Sequence, residues 1–152
     1  MAEQSPPGGP GASFTVARFS LTIDGVEIAQ FSDAAISSEV EPVEVGEQTG
    51  DTLFLKKLPG KQIPPTVTLT RSLNKDVSMS AWHQSVVEGQ LAAARKDCTI
   101  TTVDSSGDAV ARYHLESAWP SKIEISGLKA GASEVLYETV TLTCDSLRRV
   151  EP

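Results

Sequence analysis

Histidine and cysteine are scarce in this chain, at two residues each. His83 and His114 stand far apart and match no zinc spacing, so a metal-centred activity has no ligand set to rest on. Cys98 and Cys144 lie in separate strand-like runs, outside any CxxC pair, and read as two reduced thiols in or near a core. Their chemistry points to a cytosolic folding compartment. Aromatics are only 5% of the residues, which leaves little material for a deep apolar ligand cavity. Basic residues are outnumbered, 13 against 20 acidic, for a net charge of −7. A nucleic-acid-binding surface needs a basic stripe, and this balance argues against one. No run of about eighteen apolar residues occurs, so the sequence offers no membrane anchor. The first residues, MAEQSPPGGPGAS, carry neither a basic nor an apolar region of a secretory signal. Their Pro, Gly and Ser content reads as a flexible tail over residues 1–13, followed by one domain over 14–152.

What is abundant is alternation. FTVARFSLTI alternates with a phase slip near Arg18-Phe19 and meets Asp24-Gly25 before VEIAQF, a strong hairpin signal. AISSEVEPVEV alternates around Pro42, which marks an edge strand or a bulge. GEQTGD reads as a turn, TLFLKKL as the returning strand, and LPGKQIPP as a loop. TVTLTRSL puts Val67, Leu69, Arg71 and Leu73 on one face and Thr66, Thr68 and Thr70 on the other. The period then changes. Met79, Trp82 and Val86 share a helical face, Asn74 or Asp76 can cap its start and Gly89 its end, predicting one short helix over about 76–89. The last third returns to strands, through an SSGD turn, AVARYHLESA, the Trp119-Pro120 join, SKIEIS, a GLKAGAS loop and a long closing strand. About eight strands, one helix and a long protruding hairpin argue a mainly β domain, either a β-barrel or a closed sandwich of two packed antiparallel sheets.

The hairpin is charged asymmetrically. Glu39, Glu41, Glu44, Glu47 and Asp51 lie on one arm, and Lys56, Lys57 and Lys61 on the other. Two uses are open: pairing across the same hairpin, or pairing with the opposite arm of another copy. Trp119 and Pro120 sit where one strand run gives way to the next. Proline ends one pairing there, tryptophan pins the bend, and Trp82 anchors the helix.

Catalytic motifs fail one by one. LPGKQ lacks the glycine of a phosphate-binding loop at Leu55 and its Ser or Thr at Gln62. DSSGD lacks the downstream glutamate of a calcium loop. No serine stands in a nucleophile elbow. With no catalytic constellation and no cofactor motif, a structural unit is the leading reading. A small-ligand-binding β-barrel without catalytic activity is the alternative, and an enzyme on a β-sandwich stands last.

The order of these features resembles the tail-tube family of contractile phages and the related inner-tube proteins of contractile injection systems. The resemblance rests on FSDAAISSEVEPVE, LPGKQIPPTVTLTRSLNKD, MSAWHQSVVEGQ, RKDCTITTVDSSGDAVARYHLESAWPSKIE and ASEVLYETVTLTCDSLRR, in register from about Phe14 to Arg149. The family usually has Gly-Leu where Ala35-Ile36 stands and His-Glu-Gly where Cys144-Asp145-Ser146 stands. The resemblance implies a non-enzymatic protomer that forms hexameric rings, stacked into a hollow tube inside a contractile sheath. Implied partners are further copies of the chain, the sheath protein, baseplate and tube-terminating proteins, and protein cargo or DNA in the lumen. The implied place is the cytoplasm of the producing bacterium, within a phage-tail-like particle or virion tail. Within that reading the Glu-rich and Lys-rich arms are expected to pair between copies, and a negative lumen would keep DNA or acidic cargo off the wall.

Overall fold

The computed structural model describes residues 15–127, 130–131 and 135–152. The expected tail over residues 1–13 and much of the GLKAGAS loop lie outside these. Among the described residues, eight strands form one antiparallel sheet: β1 (Val16–Ile23), β2 (Val26–Phe31), β3 (Asp33–Thr49), β4 (Thr52–Ser72), β5 (Lys96–Asp104), β6 (Ala109–Ser126), β7 (Tyr137–Thr143) and β8 (Ser146–Val150). Their order is β2-β1-β5-β6-β7-β4-β3, with β8 pairing β6. The expected closed barrel is not formed. β2 and β3 stand at the two ends of the sheet, joined through Ser32 with no ladder between them. Ser32 N–H instead donates to Thr70 O, at 2.9 Å.

The sheet folds on itself at β6. Residues up to Ala118 pair with β5, and from Trp119 onward they pair with β7. Register shifts flank the change on both sides. Ser117 takes φ +53, and its N–H donates to Asp97 Oδ1 at 2.9 Å. Bulges of this kind bend a strand and let it change partners. So Trp119-Pro120 is indeed a corner, but of one 18-residue strand rather than between two. Pro120 is fully buried and Trp119 half-buried, so the proline and Ala118, more than the indole, carry the buried side of the bend. The expected single closing strand makes the reciprocal crossing. It breaks at Cys144-Asp145 into β7, on β4 and the second half of β6, and β8, on the first half.

Two helices stand where one was expected: α1 (Ser78–Val87) and the four-residue α2 (Leu91–Ala94). Asn74 Oδ1 accepts from Asp76 N–H, and Asp76 Oδ1 accepts from Ser78 N–H, so both residues build the turn into α1. Gly89, at φ +83, ends it with its N–H on Val86 O. The Ser78 N–H and hydroxyl, with Arg71 beside them, hold the Asp76 carboxyl below the usual range. Met79 and Trp82 are buried, and the Trp82 indole N–H donates to Ala94 O, tying α1 to α2. His83 Nδ1 lies 3.0 Å from Pro120 O, tying α1 to the corner.

The core gathers Leu21, Phe31, Leu69, Ile100 and Leu142 from both halves of the sheet and Met79 from α1. Val67, Leu69 and Arg71 share the core face of β4 as their alternation requires, while Leu73 falls beyond the strand and is 40% exposed. Arg71 is buried opposite Glu138 of β7. Its Nη2 lies 3.5 Å from Glu138 Oε2 and its Nη1 3.1 Å from Asp76 Oδ2, and its guanidinium sits 5.3 Å from the centre of the Phe31 ring. Cys98 and Cys144 are free and buried. Burial, with Cys144 and Asp97 adding to it, pushes the Cys98 thiol up to about 12, and burial with Asp145 pushes Cys144 up to about 11.

The thiols give a prediction about pH. Their folded-state pKa values are raised, so the stability they allow is intact below about pH 9, where thiols ionise in the unfolded chain. It is lost as pH rises from there toward 12. Urea denaturation at pH 8 and pH 11 should show a smaller alkaline loss for Cys98→Ala than for the parent. Equal losses in both would remove Cys98 as a cause.

Candidate assembly surface

β3 and β4 are far longer than the core needs. From Ser38 onward β3 is exposed along its whole length, and β4 becomes buried only at Pro65. The twelve residues from Ser38 to Thr49 project about 40 Å as a two-stranded ribbon, at roughly 3.3 Å per residue. Its turn is Gly50-Asp51, with Gly50 at φ +62 and Thr49 opposite Thr52, so GEQT belongs to the strand rather than to the turn. LPGKQIPP likewise lies inside β4, where a loop was expected. Three prolines are tolerated because this half of β4 ladders only with β3 and its register slips at Pro64-Pro65, so the lost N–H groups fall on the free edge or at a bulge. The register slips twice on the β4 side, around Pro64-Pro65 and Gly60-Lys61.

Gly60 is required by close approach. A Cβ there would lie 2.5 Å from Val43 Cγ2 and 2.7 Å from the Glu41 carbonyl oxygen. Gly60→Ala is therefore expected to distort the ribbon while sparing the core. Limited proteolysis should cut the variant near residues 58–62 with its thermal midpoint little changed; an uncut ribbon would contradict this.

The charged arms are placed in register. Lys56 Nζ meets Glu47 Oε2 at 2.7 Å, and Glu44 stands directly opposite Lys57. Glu39 stands opposite Ile63, and Glu41 and Lys61 flank the second slip. Among the described residues, Glu39, Glu41 and Lys61 make no ion pair. The Glu47–Lys56 pair is exposed, and such pairs contribute at most about 1 kcal/mol.

The apolar content of the ribbon is what the sequence reading missed. Leu53, Phe54 and Leu55 are 65%, 53% and 65% exposed, and Val40, Val43, Val45, Leu58 and Ile63 are exposed behind them. Alternation alone could have flagged this: a two-stranded ribbon has two faces, and with no third layer both apolar sets stay in solvent. A contiguous apolar surface of this kind marks an interaction site.

Two clefts lie elsewhere. A polar groove of about 530 Å³ runs along the first half of the sheet by Asp97, Arg112 and His114. A smaller one of about 360 Å³ lies beside α1, lined by Ile23, Ile28 and Trp82. Among the described residues no three His, Cys, Asp or Glu side chains are placed to hold a metal ion, and no helix is long and apolar enough to cross a membrane.

The sequence profile of the T4-like virus tail tube protein gp19 matches residues 15–148. The chain belongs to this family. It is a tail-tube subunit, a structural component of a phage-tail-like particle or virion and no catalyst. Solved structures agree on the fold. A chain of the anti-feeding prophage tube-terminating cap superposes with a TM-score of 0.72 at 20% identity, covering 100% of this chain and 95% of that one. A chain of the sheath–tube complex of an extracellular contractile injection system, in its extended state, gives 0.73 at 18%, covering 94% and 95%. One from the six-fold symmetrised anti-feeding prophage baseplate gives 0.70 at 17%, covering 93% and 96%. No curated protein matches the tail-tube subunit by sequence.

Proposed function

We propose that this tail-tube subunit closes into six-membered rings that stack into a hollow tube inside a contractile sheath, with residues Val40–Lys61 carrying much of the contact between copies. The observation that carries the proposal is the apolar ribbon, which projects from the domain and covers nothing of its own. Burying one Phe or Leu side chain contributes about 1.5–3 kcal/mol, more than an exposed ion pair can. Leu53, Phe54 and Leu55 therefore supply the affinity. Glu39, Glu41 and Lys61 set the register by meeting opposite charges on the next copy, while Glu47 and Lys56 pair within their own ribbon and Glu44 and Lys57 face each other across it. Trp82, Trp119 and Pro120 hold the helices and corner that give the contact a rigid base.

Ring closure needs one patch meeting a different patch at a rotation that closes. The unpaired edges of β2 and β3 suit such a contact, since strands can add across copies. Relatives of the same fold come from a six-fold symmetrised baseplate, a sheath–tube complex and a tube-terminating cap. By analogy the partners here are a sheath protein, a baseplate and a terminating protein, with cargo in the lumen and assembly in the cytoplasm of the producing cell. Sedimentation of the purified protein tests the reading: rings or longer stacks support it, and a monomer at every concentration refutes it.

A further inference from the structure

An apolar ribbon tip needs an apolar receptor, and the cleft beside α1 has the make-up of one. Elements on two sides line it: Ile23 and Ile28 from the β1–β2 hairpin, and Ala81, Trp82 and Ala93 from the helices. Val26, opposite Ile23 and 61% exposed, extends the hairpin side outward. The polar groups of the lining are already in use. The Trp82 indole N–H donates to Ala94 O. The Ser85 hydroxyl donates to Trp82 O at 2.6 Å, and the Ser78 hydroxyl to Asp76 Oδ2 at 2.9 Å. The cleft therefore offers mainly carbon surface to an occupant, and displacing water from it is favourable. Lys96 is the one charged residue of the lining, exposed and, among the described residues, in no ion pair.

We infer that this cleft receives the ribbon tip, Asp51 to Leu55, of a second copy. The inference rests on the ring reading above and names the patch that the ribbon meets. The tip is apolar on both faces, with Leu53 and Leu55 on one and Phe54 on the other. The cleft is apolar on both sides, so a single insertion buries both faces of the tip. Its volume, about 360 Å³, is in the range of side-chain and ligand pockets, roughly 300–1,000 Å³. Charge agrees as well. Asp51 in the turn makes no ion pair among the described residues, and it brings a carboxylate to the unpaired Lys96. Glu47 and Lys56 are already paired within the ribbon and add nothing here. The occupant is another copy because the ribbon carries its own tip about 40 Å off the domain. The polar groove by Asp97, Arg112 and His114 is no equivalent receptor, since it would set apolar side chains against charges that lose their water. Tip and cleft are different patches, so the contact runs head to tail, each copy giving one tip and receiving one.

Photo-crosslinking tests the assignment. The full chain is made with p-benzoylphenylalanine in place of Phe54, assembled, irradiated and digested for mass spectrometry. The expected result is a covalent link between copies, with the adduct on Ile23–Ile28, Ser78–Ser85 or Ala93–Lys96. Adducts confined to another ribbon, or to any other surface, would overturn the inference. A mutant cycle gives a second readout. Ala81 is exposed on α1, so Ala81→Phe fills the cleft while sparing the core. Phe54→Ala and Ala81→Phe should each raise the concentration needed for assembly about ten- to a hundredfold, with thermal midpoints little changed. The chain carrying both should need no more than the worse single variant, because filling a cleft that has lost its occupant costs nothing further. Fully additive losses, or parental assembly of Ala81→Phe, would overturn the inference. The two failures are separable: a parent that stays monomeric refutes the ring reading, whereas rings that form with the adducts elsewhere refute the cleft alone.

Discussion

Replacing Phe54 and Leu55 together by aspartate is expected to leave a folded subunit that no longer assembles. The two side chains point to opposite faces of the ribbon, Phe54 opposite Glu47 and Leu55 opposite Gly46, so the pair of changes makes both faces polar. Neither residue touches the core, and both are more than half exposed in the single subunit. The core of the folded monomer is therefore untouched, and its thermal midpoint should change little. Assembly loses about 1.5–3 kcal/mol for each apolar contact and also pays for burying a carboxylate. In a ring the loss recurs at every interface. Sedimentation should show monomer where the parent shows polymer. Reversing Lys56 and Lys57 to glutamate should impair assembly less, because Lys56 already spends its charge on Glu47 within the same ribbon. Assembly of the Phe54/Leu55 variant at the parental level would remove the ribbon from the interface.

Glu138→Leu should destabilise the subunit by up to about 3 kcal/mol, because it removes the buried one of the two carboxylates beside a buried cation and leaves only the half-exposed Asp76. Arg71 and Glu138 are 5% and 2% exposed and face each other across the β4–β7 ladder, with Asp76 as the second carboxylate on Arg71. The geometry is imperfect: Arg71 Nε and Glu138 Oε1 find no hydrogen-bond partner among the described residues. An incompletely satisfied buried pair is weak as a source of stability, yet costly to break on one side. The double variant Arg71→Met, Glu138→Leu should therefore recover most of the loss. Asp76 loses a partner in that variant, but its side chain is 41% exposed and water replaces the contact. Urea denaturation of all three proteins measures the cycle. A double variant as unstable as the single one would mean that the pair itself stabilises the fold.

Local signals proved legible in the sequence wherever a short-range rule fixed the geometry. Asp24-Gly25 forms its hairpin with both residues at positive φ, 52° and 77°, as a type I′ turn demands. Met79 and Trp82 are buried on one face of α1, and Gly89 ends the helix. The Thr/Val/Leu alternation of β4 sorted core from surface down to Arg71. What depends on distant partners was less legible. LPGKQIPP looks like a loop because proline removes donors, and it takes the free edge of β4 and the bulge at Pro64-Pro65 together to make the loss harmless. The corner at Trp119-Pro120 was visible, but not that the same strand continues through it, because continuity depends on β5 and β7 each pairing one half. The break at Cys144-Asp145 answers that corner from the other strand and has no signal of its own. Closure failed for a related reason. Strand count and spacing suit a barrel, but whether the end strands pair is decided by the sheet's twist and the Ser32 junction. In the ribbon the charges were legible and the apolar tip was undervalued. A hydrophobic residue is read as core until the structure shows that no core reaches it.

The most direct test of the account is cryo-electron microscopy of the purified assembly. The account predicts a hollow tube of stacked rings, six subunits to a ring, with residues Val40–Lys61 buried between copies. A stable monomer with no tubes in any field, or a tube whose ribbons stand free in solvent, would contradict it.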